Sequence, residues 1–436
     1  MPEEEAQHHV RSRVRTTFQS LTIRNYRLFA TGQLVKLIGV WMMFVAQDWL
    51  VLHISDDSAT ALGIVTALQF TPVLLLTMLG GALADRYDKR VLLLIANGAW
   101  AILAILLAVL VVTDVVQLWH IYVLAGALGV ASAIETPARQ SFVSELVGAT
   151  LLPNALSLNS AVFNSARIAG PAIAGGAIAL IGLGPTFLVA TLAAVAPLLS
   201  LARIRPTELY REALPPRSER ERATIRDGVR YVWHRPDLVL ALALVTVVAT
   251  AGFNYQITLP LLSKVSHGTG AAAFGLLAAA FAIGSLAGAL AGSWRRHRPS
   301  GYLVSGAALG FGLFSVLVGA VTPYWLVALL LLPTGFFAIY FAQAANQRVQ
   351  MGSDPSYRGR VMALYTLFFL GTTPIGALGV GWWGEHFGPE SAIWLGGLIS
   401  LLAAATALTW QLRRHGHQLR LRLRPMPKLY VVRAET

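Results

Sequence analysis

The sequence predicts an all-α integral membrane protein with twelve transmembrane helices in two pseudo-symmetric six-helix halves. Three observations carry that prediction. First, 56% of the 436 residues are hydrophobic and only 13% are charged, where an ordinary soluble domain carries about 25% charged residues; mean hydropathy is +0.61. Second, apolar runs recur along the chain, each near the ~20 residues that cross ~30 Å of hydrocarbon. Third, the basic residues fall on alternate connections between those runs. A water-soluble globular protein is excluded, and so is intrinsic disorder, which requires low hydrophobicity and many charges. Cysteine is absent, which rules out a disulfide framework, a thiolate metal site, an iron–sulfur cluster and a cysteine nucleophile.

The twelve stretches are 28–52, 61–80, 91–113, 116–135, 155–181, 185–203, 238–262, 271–293, 301–322, 324–345, 360–384 and 391–412. In lipid each backbone group must bond within its own segment, so runs of this length are helices. Barrel strands of about ten alternating residues do not fit them. Residues 1–27 form a polar lead-in, with an acidic Glu3–Glu5 cluster followed by Arg11, Arg13, Arg15, Arg24 and Arg27. They lack the apolar core and cleavage site of a signal peptide. With the N-terminus inside, the cytoplasmic segments hold 31 of the 34 Lys and Arg residues. The outer loops hold Lys264 alone, and the spans hold Lys36 and Arg167. This split places both termini in the cytoplasm, in a plasma (inner) membrane. It also accounts for the net charge of +13 without a nucleic-acid partner.

The chain divides into two six-helix halves, 28–203 and 238–412, joined by a polar loop, 204–237, and followed by a basic tail, 413–436. In the loop, Pro206, Pro215 and Pro216 precede the charged run Arg217–Glu221. Ile225, Val229, Val232 and Trp233 then share one helical face, which predicts a short amphipathic helix at the membrane surface. The tail contains the run LRLRLR at 419–424, read as a cytoplasmic surface segment able to touch anionic lipid. Gly81-Ala-Leu-Ala84 recurs as Gly288-Ala-Leu-Ala291, and Ala138-x-Gln140 as Ala345-x-Gln347, both at an offset of 207. Pro171 and Pro374 occupy corresponding spans. Two halves related by a parallel repeat are a transporter architecture with the substrate site between them near the midplane.

Charges inside a span cost at least about 2.5–3.5 kcal/mol and so face a cavity or a partner. Three stand out: Lys36, Asp48 and Arg167. At ~100° per residue, Lys36 and Gln47 lie within ~20° of one face, with Gln33 ~60° away. Asp48 points ~120° from Lys36 and lies ~18 Å further along the axis. In the fifth span, Ser160, Asn164, Arg167 and Pro171 form a second stripe. Both stripes are expected to face the central cavity. Asp48 is the one acid well inside a span. A carboxyl withdrawn from water can take up and release a proton near neutrality, which makes Asp48 the candidate proton-coupling site. Lys36 and Arg167, with no deep acid apparent near them, lean the substrate toward an anionic or neutral molecule. Second-half cavity candidates are Asn254, Tyr255, Gln256, Gln343 and Asn346.

Other signals carry nothing. Gly379-Val-Gly381-Trp-Trp-Gly384 matches a dinucleotide fingerprint but sits inside an apolar span, without the strand and helix that motif requires. There is no Walker lysine, no H-E-x-x-H, no G-x-S-x-G and no metal-ligand spacing among the ten His. No enzyme, cofactor or metal is expected.

After the second span the chain reads Gly81-Ala-Leu-Ala-Asp85-Arg86-Tyr-Asp88-Lys89-Arg90. This resembles motif A of the major facilitator superfamily, with Asp88 where the family usually has Gly. Arg167-Ile-Ala-Gly170-Pro171-Ala-Ile-Ala-Gly175-Gly176 resembles motif C of the superfamily's antiporters, with one extra residue before the Gly pair. NYRLFATGQ at 25–33, ETPARQSFVSELV at 135–147 and DGVRYVWHRP at 227–236 resemble the drug and siderophore exporter branch that includes the enterobactin exporter.

The resemblance spans essentially the whole chain. It implies a monomeric secondary transporter that exports a small organic molecule by proton antiport and alternating access. It also implies a cytoplasmic gate in which Asp85 meets the start of the eleventh helix near Arg358 and Arg360, with Gly81, Arg86 and Arg139 in the same cluster. Glu135 is expected there as the partner of Lys89 or Arg90. The motif C helix would be a pliable seal against leak. Remaining alternatives are a same-fold importer or facilitator, a lysophospholipid-moving protein, and a non-transporting receptor.

Overall fold

The computed structural model describes residues 19–210, 225–293, 295, 297–354, 357–415, 417–422 and 428–433. Glu3–Glu5, Arg11, Arg13, Arg15 and the run Arg217–Glu221 lie outside the described residues. Among those described, eleven helices are long and apolar enough to cross a membrane. One of them, Leu118–Ile181, has 64 residues. Drawn straight it would measure about 96 Å, three times a bilayer core. It breaks at Gly148, where φ is +68°, a conformation glycine adopts without steric cost. A Cβ there would come within 3.3 Å of the Tyr210 ring, which is fixed by the Tyr210 N–H donating to the Glu145 carbonyl at 2.7 Å. The two arms, 118–147 and 149–181, are the fourth and fifth spans, and the total becomes twelve.

The others follow in order. The first three are Arg24–Ile54, Ala59–Arg86 and Lys89–Val112, and the sixth is Leu183–Arg203. The second half comprises Pro236–Ser266, Ala271–Ser293, Gly301–Ala320, Tyr324–Gly352, Arg358–Phe387 and Pro389–Arg414. Several outrun their apolar stretches and project past the lipid core. Asp88 explains its own departure from motif A. Its carboxylate accepts from the backbone N–H groups of Arg90 and Val91 at 2.9 and 3.1 Å, capping the third span.

Two spans are interrupted. The seventh is helical over Pro236–Ala251 and Tyr255–Leu261 and ends in a π-helical turn, Leu262–Ser266. The eleventh pauses between Arg358–Leu370 and Thr373–Phe387, ahead of Pro374, which cannot supply a ladder N–H.

One end of the bundle carries the basic connections and both described chain ends; the other is called the far end. The halves meet along two crossed pairs of spans built from small residues. A Cβ on Gly175 in the fifth span would stand 2.7 Å from the Ala271 carbonyl oxygen in the eighth, and one on Gly275 would stand 2.7 Å from the Pro171 oxygen. Gly63 of the second span and Gly381 of the eleventh meet Ala377 and Ala59 in the same way. Such positions allow backbones to approach closely.

The helix expected in the central loop is Ile225–Trp233. Its apolar side chains divide: Val232 is buried, whereas Val229 and Trp233 are exposed. Tyr231 stacks on Tyr357 with ring centroids 4.5 Å apart, and its hydroxyl donates to the Asp354 carboxylate at 2.9 Å. His417–Arg422 pairs antiparallel with Lys428–Arg433, with Leu419 opposite Val431 and Leu421 opposite Leu429.

Candidate functional site in the central cavity

Between the halves lies a cavity of about 430 Å³. The first span presents Trp41, Phe44, Val45 and Asp48 to it, a run at i, i+3, i+4 and i+7 that forms one helical stripe. The fifth span adds Phe163, Arg167 and Pro171. The second half adds Phe253, Tyr255, Gln256, Phe274, Phe281 and Phe369. Apart from Asp48, Arg167, Gln256 and Thr373, the wall is aromatic and aliphatic. Phe163 and Leu370 line opposite sides and are 41% and 38% exposed. Both lie on the basic side of Arg167 and Thr373 along their spans. Toward the far end Pro171 and Gly175 are buried. The cavity is therefore reached from the basic end.

Asp48 is 4% exposed and makes no hydrogen bond or ion pair among the described residues. Arg167 makes no ion pair among them either. Its guanidinium carbon lies 5.8 Å from the Trp41 ring centroid and 5.6 Å from that of Phe281, a contact to each half. The Trp41 Nε1–H is buried and has no acceptor among the described residues. Tyr255 stacks on Phe281 at 4.7 Å, and its hydroxyl donates to Ser315 Oγ at 2.8 Å.

The first-span polar stripe faces elsewhere. Gln33, Lys36 and Gln47 are buried and none lines the cavity. Lys36 Nζ is 3.0 Å from Glu135 of the fourth span, and Arg139 Nε reaches the same carboxylate at 3.1 Å. A deep acid does therefore stand beside Lys36. Its charge is met there, and the lean toward anionic substrates loses that support. Asp48, expected to point away from the polar stripe, does so, and for that reason reaches the cavity.

Among the remaining candidates, Asn164 donates to the Ser160 carbonyl at 2.8 Å and Asn254 to the Thr250 carbonyl at 2.7 Å, each one turn back on its own helix. Gln343 packs against Gly292, and Asn346 lies near the Tyr365 hydroxyl, which donates to the Ala342 carbonyl at 3.0 Å. Of these four, none lines the cavity. Of the second-half candidates, Tyr255 and Gln256 line it; the other aromatic residues on its wall escaped the sequence reading. The signal that could have found them is the four-residue spacing of the first-span stripe.

Several residues expected at the gate have partners other than the expected ones. Glu135 is engaged by Lys36 and Arg139. Lys89 instead pairs with Glu145. Arg90 donates to the carbonyls of Leu201 and Ala202 at 2.8 and 3.1 Å, at the end of the sixth span, where a cation meets the negative helix terminus. Asp85, Arg86 and Arg358 are exposed at the basic end, and the Arg360 guanidinium sits over the Tyr357 ring. Gly81 has open space beside it. In the motif C helix, Gly170 packs on Trp41 and Gly175 on the eighth span, whereas Gly176 has no neighbour within 4 Å of a Cβ.

At the far end, two charged residues of the second half hold helix ends of the first. Lys264, on the π-helical turn, pairs with Asp57 and donates to the Leu52 carbonyl at 3.1 Å, at the end of the first span. Asp56 and Asp57 adopt left-handed backbone there, with φ of +51° and +63°. Glu385 accepts from Ser58 Oγ and the Thr60 N–H, both at 2.9 Å, at the start of the second span. Each charge has the sign its helix terminus favours. Among the described residues no cluster of His, Asp and Glu could hold a metal ion.

Twelve spans, two halves and a cavity closed at one end define a multi-pass membrane transporter of the major facilitator fold. The family model described as transmembrane secretion effector matches residues 15–431, and the chain belongs to that family. The chain is 27% identical over 261 residues to the staphyloferrin A transporter of Staphylococcus aureus, covering 60% of this chain and 64%, just under two thirds, of that one. It is 28% identical over 349 residues to the multidrug efflux pump Tap of Mycolicibacterium fortuitum, covering 78% and 84%. Among solved structures, a bacterial homolog of the human lysosomal transporter Spinster, inward-facing, superposes with a TM-score of 0.68 at 14% identity, covering 89% of this chain and 94% of that one.

Proposed function

We propose that this protein exports a small organic molecule, of the antibiotic or siderophore kind, by proton antiport with alternating access. The carrying observation is Asp48, a buried carboxyl without a partner among the described residues, on the wall of a cavity between two halves. Its similarity to an efflux pump and a siderophore transporter supports the class of cargo. The positive-inside distribution supports a basic end in the cytoplasm and a plasma-membrane location. The cavity would then be loaded from the cytoplasm. Residues 28–203 and 238–412 would rock about it, with the Lys264 and Glu385 contacts released as the basic end closes around Asp85 and Arg358. Substrate and proton would compete for Asp48: an ionised carboxylate holds a substrate's donor group, and protonation at the outer face releases it. The working unit would be a monomer in lipid.

Proteoliposomes carrying an internal pH-sensitive dye test this. A panel of siderophores and antibiotics should trigger proton movement through the wild type and none through Asp48→Asn. Equal flux in both would take the coupling site away from Asp48. Uptake of the same compounds into expressing cells, in place of lowered accumulation, would overturn export.

A further inference from the structure

Besides the neutral Gln256 and Thr373, the polar equipment of the cavity forms two unlike centres. One is the Arg167 guanidinium, set over the Trp41 ring, whose buried Nε1–H has no acceptor among the described residues. The other is the Asp48 carboxylate. Trp41 and Asp48 lie seven residues apart on one stripe of the first span, which separates the centres by about 10 Å along the axis. Phe44 lies between them on the same stripe, and Phe274, Phe281 and Tyr255 face them from the other half. The only other cation read in the spans, Lys36, is met by Glu135 and lies off the wall.

A ligand filling this space strips water from both charges. Burying an unpaired charge is costly, and so is leaving a buried donor unmet. A simple cation would satisfy Asp48 and leave Arg167 and Trp41 unanswered. A simple anion would satisfy those two and leave Asp48 desolvated. One molecule with an acidic group at one end and a basic nitrogen at the other answers all three, and a flat aromatic body between them stacks on the rings.

We propose that the cavity selects amphoteric aromatic molecules, binding the acidic group at Arg167 and Trp41 and the basic nitrogen at Asp48. This rests on the transporter reading above but not on its direction or its coupling ion.

Three dyes with one xanthene body separate the possibilities: rhodamine 110 with a free carboxylate and basic nitrogens, its methyl ester rhodamine 123 as the cation, and fluorescein as the anion. Fluorescence anisotropy would be measured at neutral pH with the full-length protein in lipid nanodiscs. Rhodamine 110 should bind about tenfold more tightly than either relative, the factor expected when a charged partner is lost. Trp41→Phe, which keeps the ring and removes the N–H, and Arg167→Gln should each bring rhodamine 110 toward the affinity of rhodamine 123. Asp48→Asn should weaken rhodamine 110 and strengthen fluorescein. Should Arg167→Gln fail to fold, Trp41→Phe carries the same arm. Equal or tighter binding of rhodamine 123 or fluorescein to the wild type would overturn the proposal, as would no binding of any dye or no response in the variants. Selectivity in this order without proton flux would keep the substrate class and remove antiport. Proton flux without this order would do the reverse.

Discussion

Glu135 carries two cations on one carboxylate, deep between the first and fourth spans. Removing one partner of a buried pair leaves uncompensated charge and costs about 3–5 kcal/mol. The three members are therefore not equivalent. Glu135→Gln strands both Lys36 and Arg139, whereas Lys36→Met leaves Glu135 still paired with Arg139. Thermal unfolding in detergent should show a much larger fall in Tm for Glu135→Gln than for Lys36→Met; equal falls would mean the carboxylate is not shared. This triad also shows what a single residue reveals in sequence. The charges inside spans were legible because lipid makes them conspicuous, and helical geometry grouped Gln33, Lys36 and Gln47 together. Their orientation depends on which neighbouring helix supplies an acid, and that is set by tertiary packing. The cavity wall was less legible because Phe44 or Phe281 in a span reads the same whether it faces lipid or substrate.

Element by element, glycine decides how closely the halves approach. Gly175 and Gly176 are adjacent in the motif C helix, yet only Gly175 meets the eighth span; nothing lies near a Cβ on Gly176. Gly175→Val forces the fifth and eighth spans apart, at the about 1–3 kcal/mol typical of overpacking. Gly176→Val places its side chain in open space. Substrate-triggered proton flux, compared at equal protein incorporation, should fall sharply in Gly175→Val and stay near wild type in Gly176→Val. Parallel losses would mean that helix pliability, not close approach, is what the pair supplies. The same physics gives meaning to Gly381, which in sequence is part of a glycine pattern matching a nucleotide motif. It is a contact glycine against Ala59 and Gly63. Span number and order were readable from hydropathy and basic-residue placement, which depend only on the membrane. The break at Gly148 was not, because one glycine among 39 carries no label until its backbone angle is known.

For the whole molecule, the far-end closure is held by an arrangement of opposite signs. Lys264 sits at the carbonyl end of the first span and Glu385 at the amide end of the second, so both halves of a helix hairpin are gripped by the other half of the protein. Lys264 is delivered by a π-helical turn and meets Asp57 in left-handed backbone, features that persist only where surrounding contacts hold them. Each charge at a helix end contributes about 0.3–1 kcal/mol, rising to ~2 when partly buried. Breaking both therefore shifts the balance between far-end-closed and far-end-open forms by roughly a few-fold to more than tenfold. The chain has no cysteine, so spin labels can be placed singly at Val115 and Trp325, exposed on opposite halves near the far end. In the parent protein the label distances should cluster at the short separation of the closed form. Lys264→Ala with Glu385→Gln should add a longer population, while Lys264→Arg, which preserves the cation, should restore the short one. An unchanged distribution in the double variant would mean that the glycine contacts of the fifth and eighth spans close the far end by themselves, and that the two charges merely decorate it.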